Sequence, residues 1–248
     1  MAAATTHRQL VARRSAARAL ACNEAVAQAL QRELGQIPPR PLLFDAALAW
    51  LAQGAPADAA VGSALRGLGN ARRALLGEAG DEPEPARLWR EGLVTAWSAA
   101  RLARELGLDA RVLAAAGLMH RLGELRVLAA LAMAERETGI RIDAPSRAGL
   151  CAEHGGHAAT RLFAAWSVHP RAASAAAAWR NAPAHGRPPG EAALVYVGHL
   201  LANRVLNPEF PAPGLAYAVK SDFGIGPELL DPAPAAAERL RVLLSQAG

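Results

Sequence analysis

The sequence predicts an all-α protein, and three observations carry that prediction. Alanine makes up much of a hydrophobic fraction of 52%, and alanine has the best helix propensity and lets helices pack closely. Aromatics are only 4%, and β-branched runs are nearly absent, so strands have little to build on. Apolar residues recur at helical spacing between Gly and Pro punctuation through most of the 248 residues, a length that suits one large domain or two small ones.

Taken in order, the first helical stretches fall near residues 7–21 and 24–34, with Asn23 as an N-cap for the second. Pro38, Pro39 and Pro41 break the pattern. A helix follows with Leu43, Ala47, Trp50 and Leu51 on one side, and Asp58 and Asn70 are read as caps of two further helices. Residues 77–86 are acidic and contain Pro83 and Pro85, which oppose helix, so they read as a linker. Beyond it Leu88, Trp89, Leu93, Ala96, Trp97 and Ala100 mark a long helix, with Gly107 as its C-cap and Asp109 as the next N-cap.

Val112 to Met119 is apolar all round and reads as buried, with Leu113, Ala116, Gly117 and His120 on one face. Gly117 there would let another helix approach closely. Gly155-Gly156 and Val168-His169-Pro170 bracket a helix containing Leu162 and Trp166, and Pro170 opens the next, which runs to about Trp179. Residues 181–190 read as a loop, 191–206 as an apolar helix carrying Tyr196 and His199, and Pro208 to Gly214 as a connection to a last helix near 234–246.

The net charge is +5 and the pI about 10.2. Of the 27 basic residues only Lys220 is a lysine, a bias that fits a GC-rich coding sequence as well as an acidic partner. Arg8, Arg13, Arg14 and Arg18 lie in an acid-free opening that resembles a transit peptide but reads better as one solvated helix face. No nucleic-acid-binding motif is present and few aromatics are available for stacking, so nucleic acid is not an expected partner. Cys22 and Cys151 lack metal-ligand spacing and read as free thiols of a cytoplasmic protein. No uncharged apolar run is long enough to span a membrane.

The most informative stretch is Gly117-Leu118-Met119-His120-Arg121-Leu122-Gly123-Glu124. Together with Leu88 to Gly92, His154 to Pro170, Pro183, Leu194 to Ala202 and Phe223-Gly224-Ile225, it resembles the HDOD family, the HD-related output domain of bacterial signalling proteins. Ala64 to Gly69 extends the likeness more loosely toward the amino terminus. The resemblance implies one HDOD-like unit over 1–248: an amino-terminal helical subdomain over 1–76, the linker at 77–86, and an HD-like helical core over 87–248.

Hydrolytic HD proteins hold metal with a His, then an adjacent His-Asp pair, then a distant Asp, and the metal-bound water attacks phosphorus. Carried onto this chain, those positions are Glu91, His120, Arg121 and His199. Arg121 is a fixed positive charge where a metal-binding acid is expected, and it cannot become a ligand. The family's His-His pair ahead of a proline falls at Arg180-Asn181, and the His ahead of the Trp166 helix falls at Gly155.

The expectation is therefore a non-catalytic signalling module, not an enzyme, with no cofactor and a relic site, whose signalling partner acts in trans. His120 reads first as a structural core residue. Two alternatives stand beside this. Glu91, His120 and His199 form a two-His, one-carboxylate set if their helices meet, which would make the chain a divergent metal phosphohydrolase acting on a nucleotide or cyclic dinucleotide. Or the remnant pocket senses a nucleotide-like anion through arginines such as Arg121 and Arg180. Arg121 is alternatively paired with Glu91 or Glu124. His154 and His157, with two glycines between them, read as a turn or helix start, and His169 and His185 as loop residues.

Overall fold

The structure is a computed structural model. It describes residues 24–53, 58–181 and 190–207, together with Ile225, Leu230, Leu240, Leu244 and Ser245. The helix expected at 7–21 with its four arginines, Cys22, the Asn23 cap, Pro183, His185, the connection from Pro208 to Gly214, Phe223-Gly224 and most of the helix near 234–246 lie outside the described residues.

The fold is all-α, and no strand occurs among the described residues. The helices are α1 (Glu24–Gly35), α2 (Phe44–Gln53), α3 (Asp58–Leu76), α4 (Pro83–Glu105), α5 (Ala110–Met119), α6 (Leu122–Thr138), α7 (Ala144–Ala165), α8 (Pro170–Ala178) and α9 (Glu191–Leu206). Short 3₁₀ turns cover Gly77–Asp81 and Trp179–Asn181. Among the described residues no helix is long and apolar enough to cross a membrane.

Several boundaries follow the local chemistry of the sequence. Gly107 has φ of +69°. The Gly107 and Leu108 amides donate back to the carbonyls of Arg104 (3.2 Å) and Ala103 (2.7 Å), a Schellman ending for α4. Asp109 then caps α5, its carboxylate accepting from the amides of Arg111 (3.0 Å) and Val112 (3.2 Å). Pro170 occupies the first turn of α8 as expected. His169 is no mere loop residue: its Nδ1 accepts from the Arg171 amide at 3.3 Å and caps that helix.

Other boundaries differ, and each difference has a cause. Pro83 and Pro85 begin α4 instead of opposing it, because the first turn of a helix has no amide partner to lose. Asn70 caps nothing. It lies inside α3, and its side-chain amide donates to the Leu42 carbonyl at 3.2 Å. Gly155 and Gly156 do not start a helix. They sit inside α7, which Asp143 caps twelve residues before Gly155 by accepting from the Ser146 amide at 2.7 Å. A Cβ placed on Gly123 of α6 would stand 1.9 Å from the Gly155 carbonyl oxygen, so close contact between α6 and α7 requires Gly123, whereas a Cβ on Gly156 would meet nothing within 4 Å. His154 and His157 are consequently one helical turn apart within α7.

The chain divides into two compact units, neither of them continuous in sequence. One comprises residues 1–40, 72–85 and 121–167; the other comprises 41–71, 86–120 and 168–248. In the first, α6 packs against α1 and α7, and Leu30, Leu122, Leu131, Leu150, Leu162 and Trp166 are buried. Arg126 there donates to the carbonyls of Glu33 and Gln36, and Arg161 to those of Leu34 and Gly35, so two guanidiniums close the carboxyl end of α1. In the second unit, α5 packs against α2, α8 and α9, around buried Leu51, Trp89, Leu93, Leu113, Met119 and Leu194.

Candidate metal centre

Two glycines bring the helices of His120 and His199 onto the helix of Glu91 within the second unit. A Cβ on Gly117 of α5 would lie 2.6 Å from Ala96 Cα, and a Cβ on Gly198 of α9 would lie 2.9 Å from the Thr95 carbonyl oxygen. Both helices therefore approach the same turn of α4 at backbone distance. Glu91 stands one turn before that contact. Gly117 is three residues before His120, and Gly198 is the neighbour of His199. The close approach expected of Gly117 is present, and Gly198 supplies a second.

Glu91, His120 and His199 converge as a result, and one ligand atom from each lies within 4.8 Å of the others. His199 Nδ1 is 2.9 Å from Glu91 Oε1. His120 Nε2 is 3.4 Å from His199 Nδ1 and 3.8 Å from Glu91 Oε1. Two ligands of a tetrahedral zinc ion, each bonded at about 2.0–2.1 Å, stand roughly 3.3–3.4 Å apart. The three observed separations bracket that figure. Two neutral imidazoles and one carboxylate also match the donor set of catalytic zinc sites and suit iron, so the residues present fit one metal ion.

The environment of His120 favours an imidazole that binds rather than ionises. His120 is buried, and burial holds its pKa below the ordinary imidazole value, with the positive charge His199 would carry acting the same way; the Glu91 carboxylate and Gly117 carbonyl oppose this. His120 Nδ1–H donates to the Gly117 carbonyl oxygen at 2.6 Å. That bond fixes the tautomer and leaves the Nε2 lone pair facing Glu91 and His199, the backbone support typical of a metal-bound histidine.

Trp179 closes one side. Its indole N–H donates to the His120 carbonyl oxygen at 3.2 Å, and its ring lies 4.9 Å from the His120 ring and 4.5 Å from the His199 ring. Arg180 sets its guanidinium 5.0 Å over the Trp179 ring, and Arg87 pairs with the other Glu91 oxygen at 3.3 Å. Asn203, one turn beyond His199, places its amide nitrogen 3.0 Å from His199 Nε2. Spacing along the chain had drawn attention to neither Trp179 nor Asn203 as part of the site, although Asn203 shares the helix face of His199 by its i, i+4 position.

Arg121 pairs with Glu124, one of its two anticipated partners, through Nε at 3.0 Å and a terminal nitrogen at 2.5 Å. His154, His157 and His169 belong to no group of three potential ligands among the described residues. The Cys151 thiol is pushed up to about 12 by burial first and by the Glu124 and Glu84 carboxylates after it, so it stays protonated and is neither a ligand nor a nucleophile at neutral pH.

No family model matches the chain, and no curated protein does. A crystal structure from Shewanella amazonensis SB2B, described as a "Putative metal-dependent phosphohydrolase", is similar at 18% identity over 90% of each chain, with a TM-score of 0.52. That likeness establishes a shared all-α fold. The expectation that this chain is not an enzyme is overturned by two findings together: the convergence of Glu91, His120 and His199 into a group able to hold a metal, and a fold shared with a protein so described. The substitutions at Glu91, Arg121 and His199 had suggested a dismantled site. Folding instead gathers a different group of three potential ligands, where α5 and α9 come to α4 at backbone distance through Gly117 and Gly198.

Proposed function

We propose that the chain is a divergent metal-dependent phosphohydrolase of the HD superfamily, HDOD-like in the order of its segments, acting on a nucleotide or cyclic dinucleotide. The observation that carries this reading is the meeting of Glu91 Oε1, His120 Nε2 and His199 Nδ1 at separations suited to one ion. Glu91, His120 and His199 would hold the metal. When bound it would supply Lewis acidity at a phosphoryl oxygen. With Arg121 where a bridging acid would stand, the set is one for a single ion rather than a pair.

The remaining roles belong to the chain's own residues. Glu91 offers the negative charge that two neutral imidazoles lack. Arg180, at the surface and stacked on Trp179, presents a planar donor that suits a phosphate in bidentate fashion. Trp179 covers both imidazoles and excludes water from that side. The fold shared with a structure described as a "Putative metal-dependent phosphohydrolase" supports the same reaction class.

The test is the metal content of untagged protein by inductively coupled plasma mass spectrometry, followed by hydrolysis of bis(p-nitrophenyl) phosphate and a panel of nucleotides and cyclic dinucleotides with Zn²⁺, Mn²⁺ or Fe²⁺. The expected result is about one transition metal per chain, as for a single catalytic site, with turnover lost in a folded His120→Ala variant. Metal-free protein that turns over nothing on the panel would overturn the reading.

A further inference from the structure

The hydrogen bonds around His199 close on a single tautomer. Glu91 Oε1, 2.9 Å from Nδ1, is an acceptor, so Nδ1 carries the proton. The Asn203 amide nitrogen, 3.0 Å from Nε2, is a donor, so Nε2 offers its lone pair. The same amide nitrogen also donates to the His199 carbonyl oxygen at 3.2 Å. That second bond holds the amide this way round, because turning it over would set its oxygen against the carbonyl oxygen. The proton of His199 is thus on the nitrogen that faces the candidate metal centre. His120 is arranged in the opposite sense, with its proton on the far nitrogen and its lone pair toward the centre.

We infer that Asn203 is a positioning residue that fixes the His199 tautomer and thereby restrains metal loading at the Glu91/His120/His199 site. The inference rests on the metal-site reading above. For His199 to ligate through Nδ1 and remain a neutral imidazole, the Nδ1 proton must pass to water and another be taken up from water at Nε2. The new Nε2–H then faces the donor amide of Asn203. Loading costs the Asn203–His199 hydrogen bond, and to restore it the amide must turn and lose its bond to the carbonyl. A residue that merely supported a metal-bound histidine would present an acceptor here, as carboxylates and carbonyls do behind metal-bound imidazoles.

The experiment compares the full chain with Asn203→Ala and Asn203→Asp. Histidine nitrogen NMR of metal-free protein reports the tautomer, and competition against a chelator reports Zn²⁺ affinity. Wild-type His199 is expected as the Nδ1–H form. Asn203→Ala should lose that preference and bind Zn²⁺ more tightly than wild type. Asn203→Asp should shift to Nε2–H and tighten Zn²⁺ about tenfold or more, the scale on which such supporting groups act. The Ala variant is decisive, because a purely supportive Asn203 would weaken binding when removed, and because no charge is added. An Nε2–H tautomer in the wild type, or a tautomer and affinity unmoved in Asn203→Ala, would overturn the inference. The two readings fail separately. A wild type that binds no Zn²⁺ while the tautomers move as expected overturns the metal centre and upholds tautomer control. Tight Zn²⁺ binding insensitive to Asn203 does the reverse.

Discussion

Two glutamates of this chain are almost equally buried and have opposite uses. Glu135, in the first unit, is 3% exposed, and Glu91, in the second, is 1% exposed. Glu135 accepts from the Ile142 amide at 2.6 Å, from Arg147 at 2.6 Å and from Arg141 at 3.3 Å. Arg147 in turn donates to the Ile142 carbonyl at 3.1 Å, tying down the segment between α6 and α7. Arginine has no lone pair to give and never loses its charge in a protein, so that cluster is saturated and serves structure. Glu91 gives one oxygen to Arg87, which is half exposed, and turns the other to two imidazoles. Imidazoles carry lone pairs, exchange protons near neutral pH and release their partners readily. The imidazoles at one Glu91 oxygen, and not burial or the carboxylate itself, separate a structural cluster from one able to take a metal.

The sharpest way to test that contrast is to remove the negative charge at each place. Glu135→Gln leaves the guanidinium of Arg147, only 17% exposed, with just the longer pairing to Glu82 at 3.9 Å in place of its 2.6 Å contact. Losing one partner of a buried ion pair costs about 3–5 kcal/mol, and the lower end fits a pair with some solvent access. Glu91→Gln keeps a carbonyl oxygen able to accept from His199 and turns half-exposed Arg87 over to water, so its cost should be about 1–2 kcal/mol, the worth of one or two hydrogen bonds, while Zn²⁺ binding is lost. Urea denaturation of both variants, with Zn²⁺ titration, checks the pairing. If Glu91→Gln proved the more damaging to stability, the site would be a structural cluster like the other.

A smaller effect sharpens the comparison from the side of the scaffold. Gly198→Ala would put a methyl 2.9 Å from the Thr95 carbonyl oxygen and 3.2 Å from the Ala99 amide nitrogen. Backbone atoms cannot step aside as a flexible side chain would, so α9 must move off α4, at about 1–3 kcal/mol for overpacking. Because His199 travels with α9, Zn²⁺ affinity should fall alongside stability. Retained Zn²⁺ affinity in a destabilised Gly198→Ala protein would show that the ligands do not depend on this contact.

The helices were legible because apolar periodicity and alanine content are local properties, and so were the Gly107 and Asp109 boundaries, where one residue type fills one conformational need. Glycine misled in α7: Gly155 and Gly156 read as a break, yet the helix runs through both, and the glycine that close contact there requires is Gly123 of α6. Asn70 misled because its side chain answers a carbonyl 28 residues away rather than its own helix end. Within the site, Glu91, His120 and His199 could be picked out by the order of segments, but their convergence could not, since it depends on which helices meet. Trp179 was invisible for the same reason: nothing along the chain says that an indole 59 residues beyond His120 will donate to its carbonyl. The Arg121–Glu124 pair, three residues apart on one helix, needed no such knowledge.

The least of these effects concerns pH, and it arises at His120 in the Glu91 cluster. His120 is held below the ordinary imidazole pKa chiefly by burial. In the unfolded chain the same imidazole takes up its proton as pH falls through about 6.5, while the folded protein still refuses it. The unfolded state then binds more protons, and by linkage stability falls with pH until the folded-state pKa is passed. Above about pH 6.5 both states are neutral at this residue and the contribution is flat. The sign is therefore a loss on acidification, beginning just below neutrality, where carboxylates are still ionised. Urea denaturation of chelator-treated protein at pH 8 and pH 5.5 should show the loss, and His120→Asn should reduce it. Glu135→Gln leaves His120 untouched, so that variant should keep the acid loss of the wild type. An acid loss unchanged in His120→Asn would assign it elsewhere and would leave His120 without the proton-refusing environment that a ligand-ready imidazole requires.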